Sequence, residues 1–526
     1  MIISSPSPAV TIPDGSLVHE VLRHERDLAD HPALVDGLSG QTINYAQMAD
    51  LIRRVAGGFA ELGIEKGDVV GIYSPNCPDY VIAFHGLAYL GAVTTTINPM
   101  YIDDELARQL DHASAKMVIT IPALLETTHK AEGIMGGELE GILLFGQDVS
   151  ELAQSGVIEF DSLKQGPPLE NPVAIDSMND LLALPYSSGT TGLSKGVMIT
   201  HRNMVANICQ FEGVQGYSPT TQADRLIAVL PFYHIYGMMV FMSSAIQRGA
   251  TIVTMPRFDL EQFLSILQDQ KITRAYIAPP IAVALAKHPL VDDYDLSSLN
   301  LIFSGAAPLG LELAQAVEAR IDCQVVQGYG LTETSPVTNV GLNEEGRKKS
   351  DSIGPPICNT EMKVIDLESG IDLPQGETGE VCIRGPQVMK GYLNDPEATA
   401  HCIDNEQWFH TGDIGYADED GYFYIVDRVK ELIKYKGYQV APAELEALLL
   451  THPGVADAAV IGIPDESAGE LPKAFLVKKE EVNEDQIKEF VADRVAPYKK
   501  IRLVEFVETI PKAPSGKILR RVLRDQ

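Results

Sequence analysis

The sequence contains no run of 18 or more apolar residues, so no membrane span is expected. Cysteine is scarce. Six residues, at 77, 209, 323, 358, 382 and 402, lie scattered with no C-x-x-C pair. Reduced thiols in a cytoplasmic protein are the expectation. Basic charge is also short. Against 72 Asp and Glu stand 41 Lys and Arg, a net charge of −31. Such an excess disfavours nucleic acid and anionic membrane surfaces as partners. The opening Met1-Ile-Ile-Ser-Ser-Pro has no basic region followed by an apolar stretch, so a signal peptide is not expected. The closing Arg524-Asp525-Gln526 carries no peroxisomal address of the Ser-Lys-Leu type. No internal repeat or low-complexity segment stands out.

What is there is a long globular chain. At 526 residues it exceeds one ordinary core, so two or more domains are expected. The charge is unevenly placed. Residues 433–526 balance 15 Lys and Arg against 15 Asp and Glu, so the whole −31 falls within residues 1–432. An acidic bulk repels polyanions. A site for a polyphosphate ligand must therefore be locally basic, and the lysine-rich C-terminal part is a natural supplier.

The first 430 residues alternate strand-like apolar runs with amphipathic helical stretches. The runs include 69–73, 117–121, 141–145, 226–230 and 275–278, and helix candidates lie at 45–63, 79–90, 201–211 and 259–270. This alternation predicts an α/β fold with layered, largely parallel sheets. Turn-rich β segments follow at 366–380 and 411–424. A boundary falls near Val426-Asp427-Arg428-Val429-Lys430-Glu431. Beyond it come a Lys-Tyr-Lys-Gly turn, a helix opening at Pro442, strands at 456–462 and 473–477, a helix at 484–494 and a basic tail. The expected division is a large domain over 1–427, a hinge over 428–432 and a small, mobile α+β lid over 433–526.

The most informative stretch is Tyr186-Ser187-Ser188-Gly189-Thr190-Thr191-Gly192-Leu193-Ser194-Lys195-Gly196-Val197. Glycine lets a backbone turn tightly and bring its N–H groups close to a ligand. The hydroxyls add donors and Lys195 adds a point charge, a set that suits a polyphosphate. The spacing is not that of a Walker A loop: five residues separate Gly189 from Lys195, and Gly196 follows the lysine. Apolar runs at 181–184 and 197–199 bracket the loop as strand–turn–strand. Further on, Gln327-Gly328-Tyr329-Gly330-Leu331-Thr332-Glu333 follows a short strand at 323–326. There Tyr329 suits stacking on a purine, Thr332 a phosphate and Glu333 a Mg²⁺ ion. In Gly379-Glu380-Val381-Cys382-Ile383-Arg384-Gly385 the alternation reads as a strand. With no histidine near it in sequence, Cys382 is expected to be structural rather than nucleophilic.

The 186–197 loop resembles the phosphate-binding loop of the adenylate-forming superfamily, which holds acyl-CoA synthetases, 4-coumarate-CoA ligases, firefly luciferase and the adenylation domains of peptide synthetases. The likeness extends over essentially the whole chain, in the landmark order of bacterial 4-coumarate-CoA ligase-like enzymes. Residues 379–385 resemble the second signature box of those ligases. The usual loop has proline where this chain has Ser194, a change that removes no ligand group. The resemblance implies ATP, CoA and Mg²⁺ as ligands. Ser187, Ser188, Gly189, Thr190, Thr191 and Lys195 would hold phosphates, and Glu333 the metal. Gln327, Gly328, Tyr329 and Thr332 would hold the nucleotide, with Asp413 on the ribose and Arg428 on ribose or α-phosphate. Lys430 would be the pivot beside them. Arg257, Lys436 and Gly437 would contact CoA, and Lys434 and Gln439 the adenylate. His234, in Pro231-Phe232-Tyr233-His234, would orient the acid. Tyr236, Phe303, Gly305, Ala306, Gly330, Pro336 and Val337 would line its pocket. Phe303 departs from cinnamate-specific relatives, which often carry lysine or methionine there. Pro514-Ser515-Gly516-Lys517 resembles the loop that delivers the adenylation lysine, Lys517.

The reaction implied is acid–CoA ligation through an acyl adenylate, on 4-coumarate or a related hydroxycinnamate. A medium-chain fatty acid, a luciferase-like oxygenation and the loading of a carrier protein are the alternatives. The expected partners are a small carboxylic acid, ATP and CoA, and the expected assembly is a monomer or homodimer.

Overall fold

The computed structural model describes residues 1–137, 139–146, 156–187, 194–429, 431–436, 438–465, 468–495, 497–512 and 518–524. Among these residues the strands form four sheets. An eight-stranded sheet runs in the order Val337–Val340, Gln324–Gly330, Leu301–Ser304, Arg274–Ile277, Arg225–Ala228, Thr251–Thr254, Pro32–Asp36, Thr42–Asn44. Its interior pairs are parallel and the pair at each end is antiparallel. A nine-stranded sheet is built around the parallel strands Val69–Tyr73, Val93–Ile97 and Ala115–Thr120. It ends in an antiparallel hairpin of Tyr186–Ser187 with Lys195–Thr200. Helices cover these sheets, so the parallel strands are buried on both faces. Val93–Ile97, with sequence Val-Thr-Thr-Thr-Ile, is buried at every position. The helix Pro78–Leu90 is buried from Tyr80 to Leu90. That explains why it is apolar all round rather than striped.

A third, five-stranded sheet is antiparallel: Ile3–Ser4, Glu361–Ile365, Gly379–Arg384, Phe409–Ala417 and Phe423–Arg428. The fourth joins Tyr438–Val440, Ile433–Tyr435, Gly469–Lys478 and Val455–Asp465, with Leu503–Phe506 added to Gly469–Lys478. The helices Pro442–Leu450 and Glu484–Ala492 pack with it around a core that includes Ile433, Leu445, Leu449, Val460, Leu476, Ile487 and Val491. Asp427, on the third sheet, reaches across: its Oδ2 accepts a hydrogen bond from Ala443 N at 2.8 Å, in the first turn of Pro442–Leu450. A carboxylate there satisfies an otherwise orphaned helix N–H and complements the helix dipole.

The fold is α/β, as the alternation predicts. The expected helices are present as Tyr45–Glu61, Pro78–Leu90, His201–Glu212 and Leu260–Asp269. His201–Glu212 begins with a reciprocal cap between Thr200 and Asn203. Two expectations are corrected. The strand expected to stop at residue 326 runs on to Gly330, because beyond Gln327 it finds a new partner: Gly328 pairs with Val340 and Tyr329 with Asn339. The β segment expected from residue 411 begins at Phe409, so Asp413 lies inside the strand Phe409–Ala417 and pairs there with Arg428.

Candidate active site

The hairpin that flanks the Gly/Ser/Thr loop meets the end of the eight-stranded sheet at Glu333. Ser187 Oγ and Tyr392 OH both donate to Glu333 Oε1, each at 2.9 Å. Glu333 is 9% exposed, so one carboxylate in a largely dry setting is held by two neutral donors. Burial and the Glu333 charge push the Tyr392 phenol well up, so it stays a donor. Lys195 Nζ lies 5.0 Å from the Tyr392 ring centre and 3.4 Å from Asp395 Oδ2. Tyr392 and Asp395 were invisible in the sequence. Leu393 N donates to Gly196 O at 2.8 Å and brings that segment onto the hairpin.

Beside this group, Asp413 is 3% exposed. Tyr329 OH donates to its Oδ2, and Arg428 Nε stands 3.1 Å from its Oδ1. The ladder pairing of Asp413 with Arg428 sets this contact. Gln327 does something other than expected. Its side-chain nitrogen donates to Leu309 O at 2.9 Å and Ser350 O at 2.8 Å, and its oxygen accepts from Leu309 N at 2.8 Å. The amide braces two loops instead of reaching for a ligand. Thr332, partly exposed, opens the short turn that carries Glu333.

The residues expected on the acyl side converge in part. Tyr236 OH donates to Phe303 O at 3.2 Å. The two rings pack at 6.3 Å within a buried cluster that includes Phe211, Tyr217, Phe241 and Tyr276. A Cβ on Gly305 would stand 2.9 Å from the Tyr236 ring, and one on Gly328 would stand 2.2 Å from Phe303. Glycine at both places lets the backbone lie against these rings. Gly330 pairs with Val337, and Leu331 N donates to Pro336 O. Asn207 clamps Val337 from behind, donating to its O at 2.7 Å and accepting from its N at 3.0 Å. Ala306 is exposed and takes φ +69°, a conformation uncommon outside glycine. His234 Nδ1 accepts from Tyr236 N at 3.3 Å. Its loop hangs on Asn76, which donates to Ala228 O and Leu230 O and accepts from Phe232 N. Met238–Ala245, which follows, winds as a π-helix, a form that recurs near functional sites.

On the small domain Lys434 and Lys436 are exposed on the hairpin Ile433–Tyr435 and Tyr438–Val440, and Lys436 takes φ +49°. Lys434 pairs with Gln439 across it. Arg257 is exposed on a bend between Thr251–Thr254 and Leu260–Asp269. Ser188, Gly189, Thr190, Thr191, Lys430, Gly437 and Lys517, and the side chain of Gln439, lie outside the described residues.

Cys382, expected to be structural, has a neighbour that its local sequence does not show. A histidine does stand beside it: His410 Nδ1 is 3.6 Å from Cys382 Sγ. The two are 28 residues apart in sequence and directly paired across the third sheet. Burial pushes the thiol up against the pull of His410. Cys382 is fully buried, so a substrate nucleophile it is not.

Among known proteins, the family model described as AMP-binding enzyme matches residues 22–393, and that described as AMP-binding enzyme C-terminal domain matches 444–517. The chain is 44% identical to 4-coumarate–CoA ligase 1 of Solanum tuberosum, over 100% of this chain and 96% of that one. It is 43% identical to 4-coumarate–CoA ligase 1 of Petroselinum crispum, with the same coverage. Among solved structures it superposes on an anthranilate CoA ligase in complex with anthranoyl-AMP, with a TM-score of 0.89 and 27% identity over 98% of both chains. With its two-part match and its full-length relatives, the chain belongs to the AMP-binding enzyme family.

Proposed function

We propose that this enzyme is an ATP-dependent acid–CoA ligase acting on 4-coumarate or a closely related hydroxycinnamate. In the first step a carboxylate oxygen of the acid bonds to the α-phosphorus of ATP, and pyrophosphate leaves. In the second the CoA thiol attacks the acyl carbon, and AMP leaves with that oxygen. The observation that carries this is the meeting of Ser187, Tyr392 and Lys195 around Glu333 at one hairpin, in a chain matched end to end by 4-coumarate–CoA ligases. Positioning and charge stabilisation suffice for such a step.

Mg²⁺ fits Glu333, because this ion typically takes one or two carboxylates and completes its shell with phosphate and water. Bound there, it would neutralise phosphate charge. Ser187, Lys195 and the 188–191 segment would cradle the phosphates, with Tyr329 on the base, Thr332 on a phosphate, Asp413 on the ribose and Arg428 on ribose or α-phosphate. Lys195 is held by Asp395, so a phosphate must compete with that carboxylate. His234 would orient the acid beside Tyr236. Residues 1–427 would form the body and 433–526 the lid, turning about 428–432 so that Lys517 serves the first step, and Lys434, Lys436, Gly437 and Gln439 the second. Arg257, exposed, would meet a CoA phosphate.

The aromatic wall of Tyr236, Tyr276 and Phe303 favours a flat acyl group, since aromatic pairs gain from edge-to-face contact. AMP release measured across a panel of acids with CoA present tests this. The expected kcat/KM for 4-coumarate exceeds that for octanoate by about tenfold or more. A tenfold preference for octanoate would instead place the enzyme among medium-chain fatty acyl ligases.

A further inference from the structure

Glu380, Cys382 and His410 belong to none of the groups above. Glu380 and Cys382 stand two residues apart on the strand Gly379–Arg384 and so share a face. His410 lies directly across the ladder from Cys382, on Phe409–Ala417. His410 Nδ1 is 3.6 Å from Cys382 Sγ and 3.3 Å from Glu380 Oε2, and the three ligand atoms all fall within 4.8 Å of one another. Behind the ring, His410 Nε2 faces Asp404 Oδ2 at 3.6 Å.

We propose that Glu380, Cys382 and His410 form a binding site for a divalent cation of the zinc class, with Asp404 orienting the histidine from behind.

Three observations carry this. The donor set is one thiol sulfur, one imidazole nitrogen and one carboxylate oxygen, each a ligand that zinc accepts. The spacing fits as well. Tetrahedral zinc, with bonds of about 2.3 Å to sulfur and about 2.0–2.2 Å to nitrogen and oxygen, separates sulfur from nitrogen by about 3.6 Å and oxygen from nitrogen by about 3.4 Å. The observed separations are 3.6 and 3.3 Å. A single ring N–H points well at one acceptor, whereas a cation at the centre of the three serves all of them. Finally, a carboxylate stands behind the ring at ion-pair distance, 3.6 Å from His410 Nε2. A carboxylate on the second ring nitrogen fixes tautomer and orientation in metal sites. Glu380 is fixed likewise, its Oε1 accepting from Gly412 N at 3.0 Å.

The surrounding charge permits it. Lys363 pairs with Cys382 on the neighbouring strand, but its Nζ is drawn 3.0 Å from Asp372 Oδ1. The Cys382 side chain is fully buried, while those of His410 and Glu380 are 28% and 16% exposed. An ion therefore enters past the ring, and a fourth position remains for water. Binding displaces protons from the thiol and the imidazole.

The test is a cobalt titration of the full-length protein. Co²⁺ replaces zinc in such sites and gives a visible spectrum with a thiolate charge-transfer band. One equivalent should bind with that band and be displaced by Zn²⁺, and Cys382→Ser should abolish the band. Asp404→Asn keeps the Oδ1 that accepts from Glu406 N and Trp408 N, so the fold should hold. Its Co²⁺ affinity should fall about 10–100-fold. No thiolate band in the folded wild type, or an unchanged band in Cys382→Ser, would overturn the site. Unchanged affinity in Asp404→Asn would overturn the part given to Asp404.

Discussion

Lys517→Ala is expected to slow adenylation by about 10²–10³-fold while leaving thioester formation from supplied acyl adenylate near the wild-type rate. A preorganised charge aimed at a developing oxyanion in a water-poor site contributes about 3–4 kcal/mol to the barrier. The described residues on either side of 513–517 are firmly held. Lys512 bridges to Ile518, Leu519 N donates to Pro511 O at 2.8 Å, and Lys512 Nζ pairs with Asp457. Just beyond, Arg520 Nη2 donates to both carboxylate oxygens of Glu446, at 2.9 and 2.8 Å. The alanine variant should therefore fold, and its loss should be confined to the step that needs the charge. Pyrophosphate release measures the first half-reaction and thioester absorbance from preformed adenylate the second. Equal losses in both would mean that the lysine serves one fixed geometry and that the lid does not alternate.

Asp413→Ala is the other large effect, expected to raise the KM for ATP on the order of 10²-fold with the KM for CoA little changed. The carboxylate is 3% exposed and joined to both Tyr329 and Arg428. Hydrogen bonds to a charged group contribute about 1.5–3 kcal/mol each, and a buried partner left behind adds its own desolvation cost. Removing the carboxylate takes away the proposed acceptor for the ribose hydroxyls and loosens the two side chains that frame it. Asp413→Asn keeps the volume and one acceptor oxygen, so it should recover part of the loss. Initial rates with ATP varied decide the matter, and thermal melts separate binding from folding. A KM for ATP within threefold of wild type in the alanine variant would remove Asp413 from the nucleotide site.

What the sequence made legible was local. Glycines and hydroxyls around Lys195 raise the expectation of a phosphate loop because each residue type contributes through its own backbone or its own donor. Alternating apolar runs mark the two large sheets because burial imposes the pattern. What stayed hidden depends on strand register and on distant chain segments. Tyr392 reaches Glu333 from 59 residues away, and Asp395 meets Lys195 through the same fold-back. His410 faces Cys382 only because of the register in which two strands pair. Gln327 looks like a ligand contact in its motif, yet three backbone groups claim its amide. Nothing in local spacing announces such long-range partners. The roles expected for Lys517 and Lys430 rest on family resemblance, since an isolated lysine in a sequence carries no mark of its task.

The central claim is an acyl adenylate on the path to the thioester. It is tested most directly with 4-coumarate carrying ¹⁸O in both carboxylate oxygens, turned over with ATP and CoA. One carboxylate oxygen becomes the bridge to phosphorus in the first step and departs with AMP in the second. The account predicts AMP carrying one ¹⁸O atom for each thioester formed. Unlabelled AMP, or ADP in its place, would contradict it.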